Sequence, residues 1–333
     1  MPPIAASPEF LKARDLVRAA DRIAIVTHTR ADGDAIGSLA ALQHILRLEG
    51  KRAEGLLFEQ PAPRYAFIAE RENLRAWDDR HAEPLFDAAD LWIIVDTAAA
   101  AQLPPLTQRL ARRTARLIVI DHHRSRDIAG DINLIDEQAA AAALIVYDWF
   151  IAAGWALSPA AAEALFIGLA TDTGWFRHAN ADARAFQTAA ALMGYGVRPD
   201  ELHRRLYQSE PAARFRLFAA AMHGLSLEAG GSLAVMEVTR EMLARSGATS
   251  QLTEDLVNEP LRIGEVCASV LLTETDDGHV RVSVRAKGGI DVAAVAQRFG
   301  GGGHALASGA TLNGPLAHAR HRVIEAMMAA MSA

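Results

Sequence analysis

The sequence predicts an α/β amino-terminal domain with a parallel sheet, joined by a helical linker to a smaller α+β carboxy-terminal domain. Three observations predict it. Short apolar runs, Ile23–Val26, Leu56–Phe58, Leu91–Val95 and Leu117–Ile120, alternate with helix-patterned segments. Three of those runs stop abruptly in polar clusters, as strands do at the ligand-binding edge of an open parallel sheet. After Gly230-Gly231 the pattern changes to longer strands and a tight Asp277-Gly278 hairpin. The expected boundaries are 1–194, a linker over 195–229, and 230–333; a chain of 333 residues is long enough for two cores.

Ser7-Pro8-Glu9 supplies an N-cap, a proline at the first helical position and an acid in the first turn, opening a helix to about Ala20. The strand Ile23–Val26 then runs into T-H-T-R-A-D-G-D-A-I-G-S, Thr27 to Ser38. Gly33 is expected to let the backbone bend between the two acids. A helix follows from Ala35 to Leu48, closed by Gly50. Leu91–Val95 ends in Asp96, and Leu117–Ile120 ends in Asp121-His122-His123. Helices are expected over Gln138–Ala153, from Ser158-Pro159 into Leu169–Gly174, and over Asp182–Met193. Tyr195–Phe218, richer in charge and holding Pro199 and Pro211, reads as the linker. Strands at Leu233–Val238, Val266–Glu274, Val280–Arg285 and Ala307–Leu312 build the second domain. A short helix Asp291–Phe299, a turn Gly300–His304 and a final helix Ala319–Met331 complete it.

The net charge of -6 argues against a surface built to grip long duplex nucleic acid, where affinity rests on Lys and Arg. It leaves room for a short anionic substrate held by a few cations. Cys267 is the sole cysteine, so no internal disulfide can form, and its apolar neighbours predict a small buried hydrophobe. M-P-P-I-A-A-S-P-E-F has no basic stretch ahead of an apolar core, so no secretion signal is expected. Ala139–Leu157 is interrupted by Asp148 and Gly154 and reads as a buried helix rather than a membrane span. A cytoplasmic protein is the expectation.

His28, Asp32, Asp34, Asp96, Asp121, His122 and His123 all fall at strand ends, and Asp172 follows a helix that can carry it to the same edge. Two ionised carboxylates ~4 Å apart repel by about 4 kcal/mol at an effective dielectric of ~20. Four together therefore need protons or divalent cations. Mixed carboxylate and imidazole donors suit Mn²⁺ better than Zn²⁺, and two such ions balance four aspartates and leave positive potential for a phosphate. Singly, each residue has an ordinary explanation: a strand-end cap for Asp96, an Asx turn for D-G-D, loop surface for His122 and His123, a helix end for Asp172. Their joint placement favours the functional reading. Arg177 and His178, close to Asp172 in the chain, stay open; the remaining histidines read as solvated or core-edge. Gly300–His304 exposes backbone N–H groups that can cradle an anion, although no P-loop Gly-Lys-Ser/Thr follows. Arg285 would be a cation on a nearby strand, with a structural role equally good for it taken alone.

Together these motifs resemble the DHH phosphoesterases. T-H-T-R-A-D-G-D-A-I-G-S, I-I-V-D ending at Asp96, V-I-D-H-H ending at His123 and A-T-D-T-G around Asp172 are similar to the family's four successive motifs. G-G-G-G-H-A-L-A-S-G-A is similar to the signature of the DHH-associated carboxy-terminal domain. Ala31 stands where the family commonly has proline. The resemblance implies a centre of two Mn²⁺ ions: His28 and Asp32 on one, Asp34 and His122 on the other, Asp96 and Asp172 on both. It implies that Asp121 orients a neighbouring histidine. His123 would contact the phosphate and protonate the leaving oxygen. Arg285, Gly301, Gly302, Gly303 and His304 would hold the nucleotide end of the substrate, with the active site in a cleft between domains. Within the family, the two-domain form resembles the nanoRNases that also dephosphorylate adenosine 3′,5′-bisphosphate. The implied function is Mn²⁺-dependent hydrolysis of short oligoribonucleotides, pApA-type dinucleotides included, and of that bisphosphate. The rivals are a cyclic-dinucleotide phosphodiesterase, a pyrophosphatase-like enzyme and a non-catalytic nucleotide sensor. A homodimer is expected from the resemblance and from the commonness of twofold assemblies.

Overall fold

A computed structural model describes residues 7–332; the first six residues of the stretch read above for a secretion signal lie outside them. The chain divides into two compact units, one ending at Ser209 and one beginning at Glu210. The segment expected as a linker, 195–229, is thus shared between the two units.

The first unit runs α1 Pro8–Ala19, β1 Arg22–Val26, α2 Gly33–Leu48, β2 Arg52–Leu57, α3 Ala66–Glu72, β3 Arg75–Ala76 and α4 Asp79–Ala88. It continues with β4 Leu91–Val95, α5 Thr107–Leu110, β5 Arg116–Asp121, β6 Ile132–Ile135, α6 Ala142–Ala153, α7 Pro159–Asp172, α8 Ala183–Met193 and α9 Pro199–Tyr207. Six parallel strands lie in the order β3-β2-β1-β4-β5-β6. The order reverses direction at β1 and β4, which places a crevice outside the carboxyl ends of those two strands. Both faces of the sheet are covered. Ile23, Ile25, Ile93, Val95, Ile118 and Ile120 pack towards α2, α6 and α7. Ala24, Val26, Trp92, Ile94, Leu117 and Val119 pack towards α4 on the other side. This two-sided burial is why the strands read as continuous apolar runs.

Capping explains most helix starts. Ser7 accepts from the Glu9 amide, Ser158 from Ala161 and Asp182 from Ala185. Asp32 accepts from the amides of Asp34 and Ala35, so α2 begins at Gly33, two residues earlier than expected. β3 and β6 were not expected; both are short, β3 having two residues, and both lie at the sheet edges, so neither forms the long apolar run of a central strand. α6 starts at Ala142 rather than Gln138, because Asp136 folds the chain back, accepting from the amides of Gln138 and Ala139. No helix among the described residues is long and apolar enough to cross a membrane.

The second unit runs α10 Ala212–His223, β7 Ser226–Glu228, β8 Leu233–Val238, α11 Arg240–Ser246, β9 Ala268–Glu274 and β10 His279–Ala286. α12 Val292–Gln297, β11 Gly302–His304, β12 Ala307–Asn313 and α13 Leu316–Met331 follow. Its mixed sheet has the order β11-β12-β10-β9-β8-β7, with only the β8–β9 pair parallel. β10 alternates strictly, with Val280, Val282 and Val284 buried against α12 and α13. Two expectations are corrected here. Cys267 is exposed, because it points outward between buried Val266 and Ala268 where β9 begins. Gly300–His304 is not a free turn: its last three residues form β11, an edge strand hydrogen-bonded to β12.

Candidate metal centre

The register of the first sheet assembles the site. Val26 of β1 pairs with Ile94 of β4, and Val95 of β4 pairs with Ile120 of β5. Hence His28, Asp96 and Asp121–His123 emerge side by side from three adjacent strand ends. Asp96 is buried and holds a left-handed backbone at φ 63°, while its amide donates to the Ile120 carbonyl, 2.8 Å. α2 brings Asp32 and Asp34 to this edge, and α7 ends on Asp172.

Gly33 acts through space rather than through backbone freedom. It sits in the first helical turn without a left-handed φ, and a Cβ there would collide with the side chain of Thr171. The same close approach recurs at Gly168, where a Cβ would stand 2.8 Å from Asp34 Oδ1. Backbone-close packing of α2 on α7 is what puts Asp172 beside the D-G-D turn.

All six expected metal ligands converge. His28 Nε2 is 3.4 Å from Asp96 Oδ2. His122 Nε2 lies 3.5 Å from Asp96 Oδ1, 3.7 Å from Asp172 Oδ2 and 3.9 Å from Asp34 Oδ2. Ligand atoms of His28, Asp32 and Asp96 lie within 4.8 Å of one another, as do those of Asp34, His122 and Asp172, and of Asp96, His122 and His123. The outer nitrogens of the first two histidines are occupied: His28 Nδ1 is 2.8 Å from the Thr29 carbonyl and His122 Nδ1 is 3.2 Å from that of Ala139. Each Nδ1 therefore carries the proton, leaving Nε2 turned inward. Asp34 accepts from the Ala142 amide at 2.6 Å, the Ala143 amide at 2.9 Å and the Ser38 hydroxyl at 3.1 Å. Ala141 offers α6 no side-chain cap, so Asp34 caps it from across the fold. Placing the start of α6 too early hid this contact.

The charges are strained. Burial and the neighbouring Asp96 push Asp34 up to about 7. Burial and Asp34 push Asp172 well above the usual carboxylate range. Burial also raises Asp96, but the His122 and His28 imidazoles that face it, 3.5 and 3.4 Å away, outweigh this and hold the carboxyl low. Burial pulls both imidazoles down, and Asp96 more than reverses this, leaving His28 at about 9 and His122 at about 10. Protons thus occupy the place where a cation would balance the same carboxylates. The donor set fits a divalent cation on two counts. It mixes carboxylate oxygens with imidazole nitrogens, and Asp96 Oδ1 is buried with no hydrogen-bond partner, a lone pair aimed at the cluster.

Asp121 stands outside the cluster and meets His123, whose Nδ1 is 2.7 Å from Asp121 Oδ1; the His123 amide donates to the same oxygen at 3.1 Å. Burial lowers the His123 pKa, the hydrogen bond to Asp121 raises it, and the net shift is upward. Arg177 donates from Nε to the Gly174 carbonyl, 2.7 Å, and His178 Nδ1 is 3.4 Å from the Asp172 carbonyl.

The remaining candidates lie in the second unit. His304 pairs with Ala307 and Ala307 with Arg285, so all three lie in one row and face the same side of the sheet. Burial holds the Arg285 guanidinium below its usual pKa. Gly301 and Gly303 are required by packing: a Cβ on Gly301 would strike the Gly309 carbonyl, and one on Gly303, at φ 138°, would sit 2.6 Å from the Ala307 carbonyl. Gly302 has neither constraint, with open space around it.

Residues 22–169 match the DHH family, N-terminal domain, and residues 230–333 match the DHHA1 domain. A Thermus thermophilus protein named bifunctional oligoribonuclease and PAP phosphatase NrnA is 33% identical over 306 residues, covering 92% of this chain and 89% of that one. The Bacillus subtilis protein of the same name is 30% identical, covering 88% and 90%. The crystal structure of an exopolyphosphatase-related protein from Bacteroides fragilis superposes with a TM-score of 0.93 at 25% identity, covering 98% of both chains. The chain belongs to the DHH family, in the DHH–DHHA1 arrangement.

Proposed function

We propose that this chain is a Mn²⁺-dependent phosphohydrolase that cleaves short oligoribonucleotides, pApA-type dinucleotides included, to mononucleotides and dephosphorylates adenosine 3′,5′-bisphosphate. The observation that carries the reading is the convergence of His28, Asp32, Asp34, Asp96, His122 and Asp172 from four separate stretches. The names of the Thermus and Bacillus relatives support the substrate class. His28 and Asp32 would hold one ion, Asp34 and His122 the other, and Asp96 and Asp172 would face both. Two divalent ions supply positive charge that draws in the phosphate and acidifies water.

The protein's own groups do the rest. Asp34 and His122 are fixed by α6 and its preceding turn, so the ligands need little rearrangement. His123, its pKa raised by the hydrogen bond to Asp121, is the group placed to give a proton to the leaving oxygen. In the second unit, Arg285 and His304 on one sheet face, with the bare backbone at Gly302, hold the nucleotide end. β11 is the edge strand, so the side of its backbone turned away from β12 would be the side to meet a phosphate.

The test is a panel: pApA, adenosine 3′,5′-bisphosphate, cyclic di-AMP and pyrophosphate, each with Mn²⁺ and with chelator. The first two should turn over fastest and chelator should abolish both. Preference for cyclic di-AMP or pyrophosphate would move the assignment to that class, and tight nucleotide binding without turnover would make the protein a sensor.

A further inference from the structure

Arg184 touches none of the candidate ligands. It is the second residue of α8, just past the Asp182 N-cap, and its guanidinium forks. Nη1 reaches Asp136 Oδ2 and Nη2 reaches Asp148 Oδ2, each at 2.5 Å. Asp148 is 9% exposed in the middle of the apolar helix α6. Asp136 begins the turn before that helix and donates its amide to the Asp121 carbonyl at 3.2 Å. One arginine therefore grips both ends of the segment 136–148.

What lies between the two grips is the frame of half the metal centre. The Ala139 carbonyl faces His122 Nδ1, and the amides of Ala142 and Ala143 bind the Asp34 carboxylate. Asn180 Nδ2 joins the Ala140 carbonyl, 3.0 Å, to that of Asp172, 3.3 Å. The segment makes no such contact with His28 or Asp32. We propose that Arg184 is a positioning residue that holds the Asp34–His122 half of the centre and leaves the His28–Asp32 half alone. This rests on the two-ion reading above. A lysine cannot reproduce the role, since a single ammonium lacks the fork that spans two carboxylates.

The test is Mn²⁺ titration of the metal-stripped full chain, following the electron paramagnetic resonance signal of free ion. Four proteins are compared: wild type, Arg184→Lys, the double variant Arg184→Met with Asp148→Leu, and Arg71→Met. The double variant removes the buried Arg184–Asp148 pair from both sides, so no buried charge is stranded and the fold should hold; Asp136, about a third exposed, is left to solvent. Arg71→Met breaks a bridge from α3 to Glu163 of α7 outside the clamp and reports the effect of a lost ion pair as such. Wild type should take up two ions. Both Arg184 variants should bind one of the two 10–100-fold more weakly, the range for losing an outer partner of a metal ligand, and keep the other. Arg71→Met should bind as wild type does. Unchanged affinities in both Arg184 variants, or equal weakening of both sites, would overturn the role of Arg184 while sparing the two-ion reading. Fewer than two ions on the wild type would overturn that reading itself and the inference with it.

Discussion

Gly37 faces the Ala164 carbonyl so closely that an added Cβ would run into the oxygen. A main-chain carbonyl cannot rotate out of the way as a side chain can. With Gly33 against Thr171 and Gly168 against Asp34, this contact brings α2 and α7 together backbone to backbone. The helix that begins at the D-G-D turn and the helix that ends on Asp172 are thereby locked side by side.

Gly37→Ala should therefore force the two helices apart. Overpacking of this kind costs typically 1–3 kcal/mol. Urea unfolding should show that loss, and Mn²⁺ uptake should fall with it as Asp172 withdraws from Asp34. Unaltered stability together with full Mn²⁺ binding would refute the close-packing argument.

The metal-free protein should lose stability as pH rises. Asp34 is raised from 3.8 to about 7, so between those values the folded form binds more protons than the unfolded one. His28 and His122 are raised from 6.5 to about 9 and 10; their stabilisation is complete below 6.5 and disappears as pH climbs through the folded values. Both contributions have the same sign, a decline from about pH 4 to pH 10. Mn²⁺ on the proposed ligands would displace those protons, so its affinity should climb over the same range. Thermal melts with and without Mn²⁺ at pH 6, 7.5 and 9 should show a stabilisation that grows with pH.

Much of this centre was legible in the chain. Asp96 ends Leu91–Val95 and Asp121 ends the β5 run, and parallel strands buried on both faces must present such ends at one edge. What was not legible depends on distances between remote segments. Gly33 looked like a hinge because its neighbours are acids; its purpose lies with Thr171, more than 130 residues away. The capping of α6 by Asp34 was hidden because alanines at 139–143 suit a helix as well as a turn, so propensity gave no boundary. The turn expected at Gly300–His304 became a strand because glycine permits the close pairing with β12.

Asp121→Asn should leave the ligands untouched and deprive His123 of its charged partner. Without the carboxylate the imidazole pKa falls, so the alkaline limb of the kcat profile should move to lower pH. A loss of roughly 10²-fold in kcat with little change in KM is the expected size for impaired proton donation. An unshifted limb would remove His123 from the role of proton donor.

Two neighbouring glycines, Gly301 just before β11 and Gly302 at its start, should behave oppositely. Gly301→Ala pushes a methyl into the Gly309 carbonyl and should destabilise the second unit. Gly302→Ala meets nothing within 4 Å and should melt as wild type does. If a nucleotide lies against that backbone, Gly302→Ala should nonetheless raise KM for pApA several-fold. A normal KM would place the substrate elsewhere.

Asp96→Asn separates charge from shape at the residue facing both halves of the cluster. The position has φ 63°, a left-handed conformation that asparagine adopts as readily as aspartate and alanine resists. The amide also has nearly the volume of the carboxylate, so the strand end should keep its geometry. The charge is different: His28 and His122 owe their raised pKa values chiefly to Asp96, and both should fall back towards the ordinary histidine range. With one of the proposed anionic ligands gone, Mn²⁺ uptake and hydrolysis of pApA should both collapse while the folded signal persists. Asp96→Ala should lose both as well, and some stability besides, because its backbone is then strained. Turnover surviving in Asp96→Asn at wild-type Mn²⁺ concentrations would mean that the ions, if bound, are held without this carboxylate.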